Sequence, residues 1–211
     1  MTGKVEIINI ALARLGESPI QSFEEGSVPA NSARLVYDSA RRSTLRDYNW
    51  NFAVATAELA RYADTQAGDF PFAFALPADC LRVIRLPPSP QGLRRTSRLA
   101  TPPGQVRSRT CGDFGRNLPF TLRGGKLLAH EPKVVLEYLR DVTDENEFDA
   151  KFIEALTYKL ASELAMPVKG SAELMASYSN AYQTLINRAA TESAWEEREP
   201  RSGNPYLEAR F

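Results

Sequence analysis

The chain has 211 residues, 43% of them hydrophobic and 25% charged. That supplies a core for one domain, or for one domain carrying a large insertion, and it excludes wholesale disorder. The 26 basic and 26 acidic side chains cancel, so the whole-chain charge singles out no class of partner. No apolar run reaches the ~18 residues a membrane-spanning helix needs, so no membrane partner is expected. The N-terminus carries one lysine and then mixed charges at Glu6 and Arg14, a poor signal peptide.

Residues 3–15 place Val5, Ile8, Leu12 and Leu15 at alternating steps of three and four, with Ile7 and Ala11 beside them. The spacing predicts a short amphipathic helix, stopped by Gly16 and by Pro19 just beyond. A connection over 17–28 contains Glu24-Glu25-Gly26-Ser27. Pro29 then suits the first turn of a second helix, over 29–48, because its missing N–H costs nothing there. Ala33, Val36, Tyr37, Ala40 and Thr44 form the buried face of that helix, with Arg34, Asp38, Arg41, Arg42, Arg46 and Asp47 around it. Tyr48, Trp50 and Phe52 follow as an aromatic knot, read as a core anchor.

From 52 to 140 the period changes. Phe52, Val54 and the stretch to Tyr62 read as a strand made noisy by Glu58 and Arg61. After a turn at Gln66-Ala67-Gly68-Asp69, Phe70, Phe72 and Phe74 alternate with Pro71, Ala73 and Ala75, a pattern that favours a sheet edge. Cys80 to Leu86 has the composition of another strand, stopped by Pro87-Pro88, and residues 87–104 read as a long exposed loop. Short strand-like stretches follow at about 105–111, 118–123, 126–130 and 133–140. Gly124-Gly125 makes a hairpin turn, and Val134, Leu136 and Tyr138 alternate along the last stretch.

The longest periodic pattern is a C-terminal pair. Phe148, Phe152, Leu156, Leu160 and Leu164 recur every four residues over 147–165, and Leu174, Met175, Tyr178, Tyr182, Leu185, Ile186 and Ala189 make a similar face over 171–195. Between them Pro167 is expected to end the first helix, Gly170 to free the turn, and Ser171 to cap the second, with Glu173 in its positive first turn. Residues 197–211 hold Tyr206, Leu207 and Phe211 as their only apolar anchors. A disordered tail and an extended arm docked on a neighbour both remain open.

The fold class that follows is α+β: mainly an antiparallel bundle of about four helices with an inserted β-rich domain. Residues 1–50 supply the first two helices, 51–140 the insertion, 141–196 the last two helices, and 197–211 the C-terminal arm. Charge divides unevenly over this plan. Residues 70–133 hold eleven Lys/Arg against three Asp/Glu, a net +8, and the rest of the chain carries −8. Arg94, Arg95, Arg98, Arg107 and Arg109 therefore suit contact with a protein partner, a solvated basic surface, or contact with phosphates.

Chemistry-bearing patterns are scarce. Nucleotide-binding, zinc-protease and hydrolase motifs are missing, and Gly112-Asp113-Phe114-Gly115 lacks the lysine and helix start of a phosphate site. Asp141, Asp144, Glu145, Glu147 and Asp149 cluster, but their spacing departs from a calcium loop and reads as an acidic loop before a helix. The single histidine, His130 beside Glu131, reads as a surface residue. Cys80 and Cys111 read as structural thiols, and no zinc site is expected from them. No catalytic, cofactor-binding or metal residue is expected, and no cofactor.

Three ordered stretches carry a resemblance. Ile8-Asn9-Ile10-Ala11-Leu12-Ala13-Arg14-Leu15-Gly16-Glu17-Ser18-Pro19-Ile20 resembles the opening of the tail tubular protein A family of tailed bacteriophages. So does Ala33-Arg34-Leu35-Val36-Tyr37-Asp38-Ser39-Ala40-Arg41-Arg42, followed by Leu45 and Trp50-Asn51-Phe52-Ala53. Ala165-Met166-Pro167-Val168-Lys169-Gly170-Ser171, with Tyr178 and Ala181 beyond, is similar to the family's C-terminal helical pair. The resemblance is clearest over about 1–60 and 140–190. It implies a non-enzymatic virion protein, made in the host cytoplasm: a head-to-tail adaptor forming a ring, typically of twelve copies, around the DNA channel. The implied partners are the portal protein, the next tail component (nozzle or tail tube), other copies of the chain, and DNA passing without sequence-specific contact. By the same resemblance, Tyr206, Leu207 and Phe211 would anchor an arm on the portal or a neighbour. A nucleic-acid-binding module using the basic insertion is the alternative.

Overall fold

The apolar stripes become buried faces of helices in the computed structural model, which describes residues 3–63, 70–87 and 117–196, with side chains through Thr191; Met175, expected on the last stripe, is instead 41% exposed. Helix α1 spans Lys4–Arg14, α2 spans Val28–Asp47, α3 spans Ala150–Leu164 and α4 spans Ala172–Glu196. Among the described residues six strands lie between α2 and α3 and form two small antiparallel sheets, so the fold is α+β. Backbone packing divides the chain into two units: Met1–Tyr48 with Thr143–Phe211, and Asn49–Val142.

The helical unit is organised around α3, on which α1, α2 and α4 each pack. With three neighbours, α3 buries Phe152, Ala155, Leu156, Thr157, Leu160, Ala161, Ser162 and Leu164, more than a single stripe. The facing side of α2 is small, with Ala30, Ala33, Ala40 and Thr44 beside Tyr37, and short side chains let two helix backbones approach closely. Caps fix the helix starts. Ser27 Oγ accepts from the Ala30 amide at 3.3 Å, with Pro29 just inside α2, and Asp149 Oδ1 accepts from the Lys151 amide at 2.9 Å.

The connection between α3 and α4 corrects one expectation. Pro167 does not stop the chain's helical path. Regular α-helical bonding ends earlier, at Leu164, and Ala165–Lys169 continue as a π-helical turn. Proline lacks an amide donor and its ring crowds the carbonyl one turn back; a wider turn relieves that crowding, so the helix bends and does not end. The stop comes at Gly170, whose φ of 64° is left-handed. Its amide donates to Met166 O at 2.9 Å. Ser171 Oγ then caps α4 through the Leu174 amide at 3.2 Å, with Glu173 in the first turn.

In the other unit, β1 (Val54–Glu58), β6 (Val135–Arg140) and β3 (Cys80–Arg85) form one sheet in the order β1-β6-β3. β2 (Phe72–Ala75), β5 (Lys126–Ala129) and β4 (Phe120–Arg123) form the second, in the order β2-β5-β4. β2 ends the order of its sheet, but the edge that the prolines suggested is not free, because Ala73 O and the Ala75 amide bond the segment after β1. Gly124 and Gly125, with φ of 57° and 71°, make the tight turn that pairs Arg123 with Lys126.

Two corners join the sheets. Beyond β1, the Tyr62 amide donates to Ala73 O at 2.9 Å and Ala60 O accepts from the Ala75 amide at 3.0 Å, so one chain segment passes from the first sheet to the second. The irregular pattern at Glu58 and Arg61 marks this bend. At the other corner the Leu118 amide donates to Leu86 O at 2.9 Å. The result is a six-stranded, barrel-like wall around Leu59, Phe74, Leu86, Leu127, Ala129, Val134, Leu136 and Tyr138. The β3–β6 pairing is irregular, with register shifts between Cys80 and Arg82 and between Val83 and Arg85, which bend and twist β3. The expected turn at 66–69, the loop over 88–104, the strand at 105–111 and the arm at 197–211 lie outside the described residues.

Candidate partner-contact surfaces

Arg94, Arg95, Arg98, Arg107, Arg109, Tyr206, Leu207 and Phe211, the residues expected to meet a partner, also lie outside the described residues. Their points of attachment are described. The Leu86–Leu118 hydrogen bond makes residues 88–116 leave and re-enter the β wall at adjacent positions. That stretch holds six arginines and one aspartate, a net +5. Likewise α4 carries the chain to Glu196, immediately before the expected arm.

The exposed helix faces differ in kind. On α2, Leu35 is 77% exposed, and Arg34, Asp38, Arg42 and Arg46 are exposed along the same helix. Over 172–191 of α4 the only charged residues are Glu173 and Arg188. Ser177, Asn180, Thr184, Asn187 and Thr191 fall on one exposed side of α4, and the two threonine hydroxyls donate to the carbonyls of Asn180 and Asn187 at 2.9 Å each.

Groups that could do chemistry are engaged in structure. Asp144 Oδ1 accepts from the Asn146 amide at 3.0 Å and from its side chain at 2.8 Å, which holds the carboxyl below its usual range. Glu145 accepts from Tyr37 and pairs with Lys4 at 3.7 Å, and Asp149 is a helix cap. The acidic cluster is thus divided among separate structural tasks. Among the described residues, no group of three His, Cys, Asp or Glu side chains is placed to hold a metal. His130 is exposed, with its ring 4.6 Å from that of Phe70. Cys80 is a free, half-buried thiol whose pKa is pushed up by burial and by Asp79, which disfavours the reactive thiolate. Cys111 and the Gly112–Gly115 loop lie outside the described residues. Trp50, 4% exposed, is the buried member of the aromatic knot. Among the described residues no helix is long and apolar enough to cross a membrane.

Periodicity does not reveal a set of long-range ties made by tyrosines. Tyr182 donates to Asp47 Oδ2 at 2.7 Å, joining α4 to the end of α2. Burial, and then the hydrogen bond to Asp47, raise its hydroxyl pKa well above the ordinary phenol value. Tyr37 is raised in the same way, by burial and then by Glu145. Tyr178 donates to the carbonyl of Arg14, whose guanidinium lies 3.8 Å from the centre of the Tyr158 ring. Lys169 pairs with Glu17 at 2.7 Å and donates to Gly16 O at 3.3 Å. Two carbonyls at the negative end of α1 are therefore met by side chains from the other end of the sequence. A tyrosine within an apolar stripe is the one signal that foretells such ties, because its buried hydroxyl needs a partner.

No family model matches the chain, and no curated protein matches it in sequence.

Proposed function

We propose that this chain is a structural virion protein, a head-to-tail adaptor that assembles as a dodecameric ring between portal and tail and surrounds the DNA channel. The observation that carries the reading is the division of labour between its units. The helical unit draws on both ends of the chain, and most of the stretches that resemble tail tubular protein A lie in it, at α1 and its end, along α2, and at the π turn with its cap, while Trp50-Asn51-Phe52-Ala53 begins the β unit. The β unit is a continuous insertion, and the basic stretch 88–116 lies in sequence between Leu86 and Leu118, which are hydrogen-bonded at one corner.

On this reading the protein works by assembly and is not an enzyme. The helical unit and the arm, with Tyr206, Leu207 and Phe211, bind the portal or a neighbouring copy. The basic stretch, with Arg94, Arg95, Arg98, Arg107 and Arg109, meets the next tail component, a nozzle or tail tube. Charge complementarity would then set the docking order. DNA passes through without sequence-specific contact, no membrane is involved, and the protein is made in the host cytoplasm before it joins the virion.

Reversing Arg94, Arg95 and Arg98 to glutamate tests the basic stretch. Tail attachment falls, while the circular dichroism spectrum and the melting temperature of the isolated protein stay unchanged. Unchanged attachment would overturn this assignment. The second reading, a nucleic-acid-binding module, rests on the same net +5 stretch. It requires the isolated monomer to bind duplex DNA with an affinity that drops steeply as salt rises.

A further inference from the structure

We draw no further inference here: the strongest candidate, the uncharged exposed stripe of Ser177, Asn180, Thr184, Asn187 and Thr191 along α4, carries nothing because nothing among the described residues shows what covers it.

Discussion

The helical unit and the β unit close their cores over different sequence distances. In the first, Tyr178 and Lys169 reach carbonyls of Arg14 and Gly16, and Tyr182 reaches Asp47, so opposite ends of the chain must meet. In the second, the wall closes within Asn49–Val142, through Tyr62–Ala73 at one corner and Leu86–Leu118 at the other. Non-local closure costs more chain entropy and comes later in folding. The β unit accommodates the basic excursion because that stretch leaves and returns at points that the Leu86–Leu118 hydrogen bond holds together.

The largest expected effects come from core truncations, which ask whether the units are separable. Phe74→Ala empties the centre of the β unit, and Leu156→Ala removes a fully buried contact of α3. Each costs about 3–5 kcal/mol in denaturant titrations. In amide-resolved spectra Phe74→Ala lowers the transition of β-unit signals, and Leu156→Ala that of helical-unit signals. Equal shifts of both sets by either substitution would merge the two units into one.

A smaller effect appears at alkaline pH in both units. Burial raises the pKa of Tyr37 and Tyr182 in the helical unit and of Tyr138 in the β unit. The unfolded phenol titrates near ~10. The stability linked to these groups is thus fully present below that pH and falls as pH rises above it, because the unfolded chain releases its protons first. These three of the chain's eight tyrosines should lag in a tyrosinate absorbance titration. Tyr182→Phe costs about 1 kcal/mol at neutral pH and flattens the alkaline loss. An unchanged alkaline slope would sever that link.

Smallest of all is the clasp at the end of α1. Both partners of the Lys169–Glu17 pair are about 30% exposed on their side chains. Lys169→Met therefore costs at most about 1 kcal/mol, and less in high salt. Its signature is local: faster amide exchange in the last turn of α1, with α2 unchanged. An equal rise in exchange across both helices would show a global effect instead.

Helices were the legible part of the fold because a stripe such as Phe152, Leu156, Leu160 and Leu164 has one geometric solution. Gly124-Gly125 was legible for the same reason, local backbone chemistry. The π turn was not, since a proline is compatible with both a stop and a bend. The corner at Arg61 was not legible because its bridge to Phe74 depends on a partner strand that sequence alone leaves unassigned. The role of α3 as the common partner of three helices depends on buried Thr157 and Ser162, polar residues that no hydrophobic count selects. Their hydroxyls satisfy themselves on the carbonyls of Glu154 and Lys159 at 2.7 and 2.8 Å. The residues expected to form the contact surfaces, the basic stretch and residues 197–211, lie beyond those described.

The adaptor reading is tested most directly by light scattering after size exclusion, on this protein alone and mixed with its cognate portal ring. The account predicts stoichiometric binding of multiple copies to the portal, lost when residues 197–211 are removed while the helical fold persists. A full-length chain that stays monomeric beside the portal would contradict it.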